Sequence, residues 1–171
     1  MDQDITIDVA TAADGDQIAD LYLASRADAL GRLRKVHADE AVRTWIKTTL
    51  VNRGVVWVAR RQAEILGFLA LEGEHVDQLY LLPGYYRGGI GSRLLAMAKS
   101  ASPERLNLYT FHCNDRARAF YEAHGFRAMR FGDGSENEEG EPDIFYEWRA
   151  EPAQPFLDFP ATSPSSRTAA K

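Results

Sequence analysis

Between Leu82 and Leu94 the chain reads Pro-Gly-Tyr-Tyr-Arg-Gly-Gly-Ile-Gly-Ser-Arg, and no other stretch limits the fold so tightly. Before it, Val76, Leu79, Leu81 and Leu82 form an apolar, β-compatible run that Pro83-Gly84 ends. After it, Ile90, Leu94, Met97 and Ala98 recur at helical spacing. Gly88, Gly89 and Gly91 leave the backbone bare, so a ligand can approach the amides closely. A glycine-rich turn between strand and helix is an anion site, because the first helical N–H groups lack partners and the helix dipole is positive there. The dipole favours an anion by about 0.3–1 kcal/mol, and several amides converging on one pyrophosphate add to it. Two common phosphate loops fail on spacing. A nucleoside-triphosphate loop ends Gly-Lys-Ser/Thr, whereas Gly91 is followed by Ser92-Arg93. The dinucleotide fingerprint needs a third glycine, and Arg93-Leu94-Leu95 holds none.

At 171 residues the chain is long enough for one domain with a substantial core. No apolar run reaches transmembrane length, and the acidic start Met1-Asp2-Gln3-Asp4 lacks the basic and apolar regions of a signal peptide. The single cysteine, Cys113, allows no intramolecular disulfide, and a cytoplasmic protein is the simplest expectation. Net charge is −5, but Asp133, Glu136, Glu138, Glu139, Glu141 and Asp143 put −6 in one loop and leave +1 for the rest. Nucleic acid is a poor partner for this balance, while a cationic ligand suits the acidic loop. A solvated loop explains the same composition.

In chain order, Ile5–Val9 alternates as a half-buried strand, and Thr11-Ala12-Ala13-Asp14 resembles a capping signal for a helix running to about Arg26. Residues 27–38 form a basic connector, and Asp39 can cap a second helix with Val42, Trp45, Ile46 and Leu50 on one face. Val55–Ala59 and Ile65–Leu71 are strands, with a hairpin turn over 61–64. Leu106–Phe111 follows as a strand, then a helix capped by Asn114 and stopped by Gly125, with Ala117, Phe120, Tyr121 and His124 on one face. Phe126–Phe131 and Ile144–Trp148 are the last strands. The order β-α-α-β-β-β-α-β-α-β-β implies an α/β fold, a mixed, mostly antiparallel central sheet with helices on both faces. Residues 1–149 form the expected domain, and 150–171 a Pro/Ala/Ser-rich tail.

Tyr86-Arg87-Gly88-Gly89-Ile90-Gly91 resembles the acyl-CoA loop of the GCN5-related N-acetyltransferases, Gln/Arg-x-x-Gly-x-Gly/Ala, with Tyr86 departing from the usual Gln/Arg. About 25 residues later, Asn114-Asp115-Arg116-Ala117-Arg118-Ala119-Phe120-Tyr121-Glu122 and Gly125-Phe126 are similar to the family's second signature. The resemblance spans roughly residues 4–149. It implies acetyl-CoA as cosubstrate, bound by Tyr86, Arg87, Gly88, Gly89, Ile90, Gly91 and Ser92, with Asn114 and Tyr121 on its arm. It also implies that the His75–Leu82 strand splays from the Leu106–Phe111 strand at a bulge, where a backbone N–H of Leu79 or Leu81 polarises the thioester carbonyl. Tyr121 would protonate the departing thiolate, since a phenol near pKa 10 and a thiol near 8.5 are close enough for late transfer.

The base that takes the amine's proton is less specified. His37 and Asp77 are ranked first, and alternation puts His75 and Asp77 on one face and Glu74 on the other. Cys113 and His112, adjacent on a strand, point apart, so a small buried cysteine is expected rather than a nucleophile pair. His124 reads as a helix-end cation. No His/Cys cluster has metal-ligand spacing, so no metal is expected. The sum is an N-acetyltransferase moving acetyl from acetyl-CoA to a small-molecule or peptide amine by direct attack in a ternary complex. The alternative is a non-catalytic acyl-CoA-binding sensor or interaction module. No membrane partner is expected, and a homodimer is left open.

Overall fold

The structure, a computed structural model, describes residues 4–152. Beyond Pro152, the expected tail, including Phe156-Leu157-Asp158-Phe159, lies outside the described residues. Seven strands and four helices follow in the expected order: β1 (Ile5–Val9), α1 (Gly15–Leu30), α2 (Asp39–Thr48), β2 (Val55–Arg61), β3 (Glu64–Glu72), β4 (His75–Leu81), α3 (Ile90–Ala101), β5 (Arg105–Phe111), α4 (Asp115–Ala123), β6 (Arg127–Gly132) and β7 (Asp143–Arg149). They build one sheet in the order β1-β2-β3-β4-β5-β7-β6. Every neighbouring pair is antiparallel except β4 and β5, which are parallel and joined by the α3 crossover.

Helices cover both faces of the central strands, so β3 is buried from Ile65 to Leu71 and reads as a continuous apolar run rather than an alternating one. On one face Ile18 and Leu21 of α1, Ile46 of α2 and Leu50 pack on Val56, Val58 and Phe68. On the other, Ile90, Leu94, Leu95 and Ala98 of α3 and Tyr121 of α4 pack on Leu69, Leu71, Leu106, Leu108 and Tyr146. Leu95 joins this face, whereas Met97, expected on it, is exposed.

Other differences lie at element ends. The first helix runs four residues past Arg26, to Leu30. Asp39 is the first helical residue of α2, with Ala38 at the cap. The β2–β3 hairpin turn is Gln62-Ala63, with Gln62 at φ +58°, so Arg61 and Glu64 pair across it as strand residues. Cys113 is exposed, because β5 ends at Phe111 and both His112 and Cys113 fall in the turn before α4.

The approach to α1 is held by a buried carboxylate. Asp14 accepts the Thr11 N–H at 2.7 Å and Arg60 Nη2 at 2.8 Å, tying the first helical turn to β2. Burial works against the charge, but these bonds and the guanidinium prevail and hold the Asp14 carboxyl below its usual range. Replacing Asp14 by Ala is expected to cost about 1–3 kcal/mol at neutral pH, because it leaves the Thr11 amide without its partner and Arg60 with Asp8 alone, at 3.6 Å. A depressed pKa contributes stability that is present above the unfolded value, about 3.9, and lost as pH falls through the lower folded value. The stability gap between the two proteins, measured by urea unfolding, should therefore narrow below about pH 4.

Candidate active site

The parallel pair β4–β5 is the weak seam of the sheet. His75 faces Asn107, and the Asn107 N–H donates to the Glu74 carbonyl at 2.9 Å; the register goes no further. A β-bulge explains the parting. Val76 and Gln78 pair with the adjacent residues Leu71 and Ala70 of β3, so Asp77 is an extra residue on β4. Bulges bend and twist the strand that carries them. On its other side β4 keeps its ladder, and the Leu82 N–H donates to Leu66 O at 2.8 Å. Amides alternate along a strand, so the Leu79 and Leu81 N–H groups face the gap.

That gap is a cavity of about 450 Å³. One wall is β4 from Val76 to Tyr80, the other Tyr109–Phe111, Asn114, Ala117 and Tyr121. Leu30, Glu136, Asn137 and Asp143 complete it. Asp77 therefore lines the cavity from the bulge, and the strict two-residue alternation expected through His75 and Asp77 breaks there. His75 Nδ1 instead lies 2.7 Å from Asn107 Oδ1 at the closed end of the seam.

Tyr121 is 8% exposed, and its hydroxyl makes no hydrogen bond among the described residues. Burial alone pushes the phenol well above its ordinary pKa of 10.0, so the group stays protonated in the neutral range. Helix α4 sets its position. Asn114 Oδ1 accepts the Ala117 N–H at 3.2 Å as the cap. At the other end His124 Nδ1 donates to Phe120 O at 2.7 Å, which in the neutral ring leaves Nε2 to accept from the Ser92 hydroxyl at 2.9 Å. Lys99 Nζ adds a bond to His124 O at 2.8 Å, so α4 is pinned to α3 at both ends of the latter.

The glycine-rich turn enters α3 through Arg87 at φ +64° and Gly89 at φ +80°. The first intrahelical bond is Arg93 N–H to Gly89 O, at 3.0 Å, so the Ile90, Gly91 and Ser92 amides precede the ladder. A Cβ at Gly89 would meet nothing within 4 Å, and one at Gly88 nothing closer than 3.7 Å. These two positions leave the loop open for a ligand. Gly91 serves packing instead: its Cβ would lie 3.2 Å from the Phe120 ring. The Ser92 hydroxyl is committed to His124, and the Tyr86 hydroxyl donates to Asp28 Oδ2 at 3.0 Å. An acyl-CoA fits this donor set through the loop amides for its phosphates, the unladdered β4 amides and the orphaned Tyr121 hydroxyl.

His37 is placed elsewhere. Its Nε2 lies 2.7 Å from Glu138 Oε2, and it is not among the residues lining the cavity. The acidic loop is partly neutralised rather than free. Arg26 pairs with Glu139 at 2.6 Å with both side chains mostly buried, and Arg130 pairs with Glu136 at 3.3 Å. Arg26 also faces Tyr22 and Tyr80, two tyrosines in edge-on contact at 4.8 Å, and burial raises both phenols. Still, the charged side chains that line the cavity, Asp77, Glu136 and Asp143, are all acidic, which suits a cationic guest. Arg26, Tyr80 and Tyr109 were missed in the sequence because no local motif marks them; pairings such as Arg26–Glu139, 113 residues apart, exist only in the folded chain.

Residues 52–128 match the family model for the acetyltransferase (GNAT) domain. A peptidyl-lysine N-acetyltransferase, YjaB of Escherichia coli K12, is 34% identical over 73 residues, which is 42% of this chain and 49% of that protein. Its Salmonella typhimurium counterpart is 37% identical over 42% of this chain and 50% of its own length. The chain thus spans about half the length of the curated relatives it matches. The solution structure of apo YjaB from Escherichia coli superposes with a TM-score of 0.71 at 21% identity, covering 85% of this chain and 97% of that one. The PaiA N-acetyltransferase of Thermoplasma acidophilum, in complex with coenzyme A, superposes at 0.65 with 20% identity, covering 86% and 99%. At such identities the likeness establishes the fold.

Proposed function

We propose that this chain is a GCN5-related N-acetyltransferase that moves an acetyl group from acetyl-CoA to a primary amine, with a lysine side chain as the leading acceptor. The observation that carries this reading is the cleft between β4 and β5, which Tyr121 lines with a hydroxyl that has no hydrogen-bond partner among the described residues. The lysine acceptor rests on what the YjaB relatives are named for and on the acidic lining of the cavity.

The cosubstrate supplies an acetyl group activated as a thioester. The amides of Gly88, Gly89, Ile90, Gly91 and Ser92 would hold its phosphates, with Arg87 as a neighbouring cation. The Leu79 and Leu81 amides would bond the carbonyl oxygen more strongly as negative charge develops on it. The amine nitrogen forms the new bond to carbon while the carbon–sulfur bond breaks. The acceptor ammonium first gives one proton to solvent, since only the neutral amine attacks. Asp77, which has no salt bridge or side-chain hydrogen bond among the described residues, takes the second proton, lost as the amide forms, directly or through water. Tyr121 gives its phenolic proton to the departing sulfur, and the charges balance. His37, bonded to Glu138, is better read as a tether for the acidic loop than as the base.

Calorimetry with acetyl-CoA, followed by a thiol-release assay over lysine peptides, polyamines and aminoglycosides, tests the reading. Binding with amine-dependent thiol release is the expected outcome. Binding without release from any amine would favour the non-catalytic module.

A further inference from the structure

The strands β4 and β5 diverge, so the wide end of their gap should be the entrance. One lip of that entrance is the loop after β4, which carries Tyr86; the other is the start of α4, which carries Arg116. These two side chains meet: the Arg116 guanidinium lies 3.8 Å from the centre of the Tyr86 ring. Both are bound to one carboxylate of a third element. Asp28 Oδ2, near the end of α1, accepts the Tyr86 hydroxyl at 3.0 Å and Arg116 Nη2 at 3.1 Å. The two bonds hold the Asp28 carboxyl below its usual range, Arg116 contributing most. The three do not line the cavity themselves but adjoin residues that do or that open the loop: Arg116 stands between Asn114 and Ala117, Asp28 two residues before Leu30, and Tyr86 two residues before Gly88.

We propose that Asp28, Tyr86 and Arg116 form a clasp across the cosubstrate entrance, which opens to admit the acyl-CoA arm and recloses over it to slow its release. This rests on the acetyl-CoA reading of the cleft. Its members are positioning residues, and they give a role to the tyrosine that stands where the family pattern has Gln or Arg. The contacts suit a gate. Asp28 and Arg116 are each 44% exposed in their side chains, so the pair is weak and salt-sensitive, and an exposed cation–π contact is weak as well. Such a clasp opens readily and adds a modest barrier to escape.

The test loads wild-type, Asp28→Asn, Tyr86→Ala, Tyr86→Phe and Arg116→Lys proteins with a fluorophore-labelled CoA and chases with excess acetyl-CoA in a stopped-flow instrument. Asp28→Asn and Tyr86→Ala are expected to release the label about tenfold faster than wild type. Tyr86→Phe, which keeps the ring under Arg116 but loses the bond to Asp28, should fall between. Asp28→Asn separates the clasp from simple charge, because removing a negative group beside an anionic ligand would by itself slow release. Melting temperatures within a few degrees of wild type check that the variants fold, and Tyr86→Phe and Asp28→Asn carry the test if Tyr86→Ala does not. Equal release rates across the series, with wild type binding, would overturn the clasp alone. Failure of the wild type to bind any CoA would remove the clasp and the acetyl-CoA reading together.

Discussion

Replacing Tyr121 by Phe is expected to lower kcat for acetyl transfer by about 10²–10⁴-fold, the usual contribution of a positioned acid, and to change the Kd for acetyl-CoA little. The substitution removes one oxygen from an α4 side chain that is otherwise packed on Phe126 and Tyr146, so the ring and its contacts stay. The raised pKa decides the pH dependence. A general acid works in its protonated form, and burial extends that form upward in pH. Wild-type kcat should therefore show no basic limb from Tyr121 between about pH 6 and 10. The Phe variant should run parallel to it, far below. The raised value does not spoil the proton transfer, because burial that disfavours the phenolate disfavours a thiolate departing beside it as well. A wild-type profile that falls on the alkaline side, matched by a variant that does not, would show that the phenol titrates in this range and is less desolvated than its burial implies.

Phe68→Ala should cost about 3–5 kcal/mol, the largest stability loss expected from one substitution here. Phe68 is fully buried in the centre of β3, beneath α1 and α2. Its ring stacks on Tyr80 at 6.0 Å, and Tyr80 in turn meets Tyr22 edge-on. Truncation loses the transfer energy of the ring and leaves a hole that a clamped sheet cannot close. At about 2–4 °C per kcal/mol for a chain of this size, the melting temperature should drop by about 6–20 °C. Phe68→Leu, which keeps most of the volume, should cost far less. There is a functional consequence, since Tyr80 is a wall of the cavity. At a temperature where the variant is still folded, KM for the amine should rise more than the Kd for acetyl-CoA, whose phosphates are proposed to sit on the loop beyond the far end of β4. A measured loss below about 1 kcal/mol would mean that the α1–α2 layer does not bear on β3 as described.

The two motifs were legible because each is a short run of backbone and helix-face requirements. A helix entered through Gly89 at φ +80° needs a residue without a Cβ, and Asn114 is at a position where its side chain reaches the Ala117 amide. Periodicities of two and near 3.6 are local too, and so the order of elements followed from the chain alone. Local rules stopped working where two distant segments had to agree. Met97 was placed on the buried face by spacing, yet the sheet below α3 takes Leu95 instead. Asp77 was assigned a face by alternation, but it sits in a bulge created by a mismatch in register between β3 and β4. Cys113 was expected to be buried in a strand that ends two residues earlier.

The same boundary runs through the site. Sequence by itself determined the glycine-rich turn into α3, the tyrosine on α4 and the alternation of helices and strands, because turn geometry, capping and hydrophobic period act over a few residues. Only the tertiary structure decided where the sheet opens, that Glu139 is anchored by Arg26 and Glu138 by His37, and that Tyr86 reaches Asp28 and Arg116. Those contacts join residues 30 to 113 positions apart, and such partners are selected by the packing of whole layers rather than by anything their neighbours in the chain can specify.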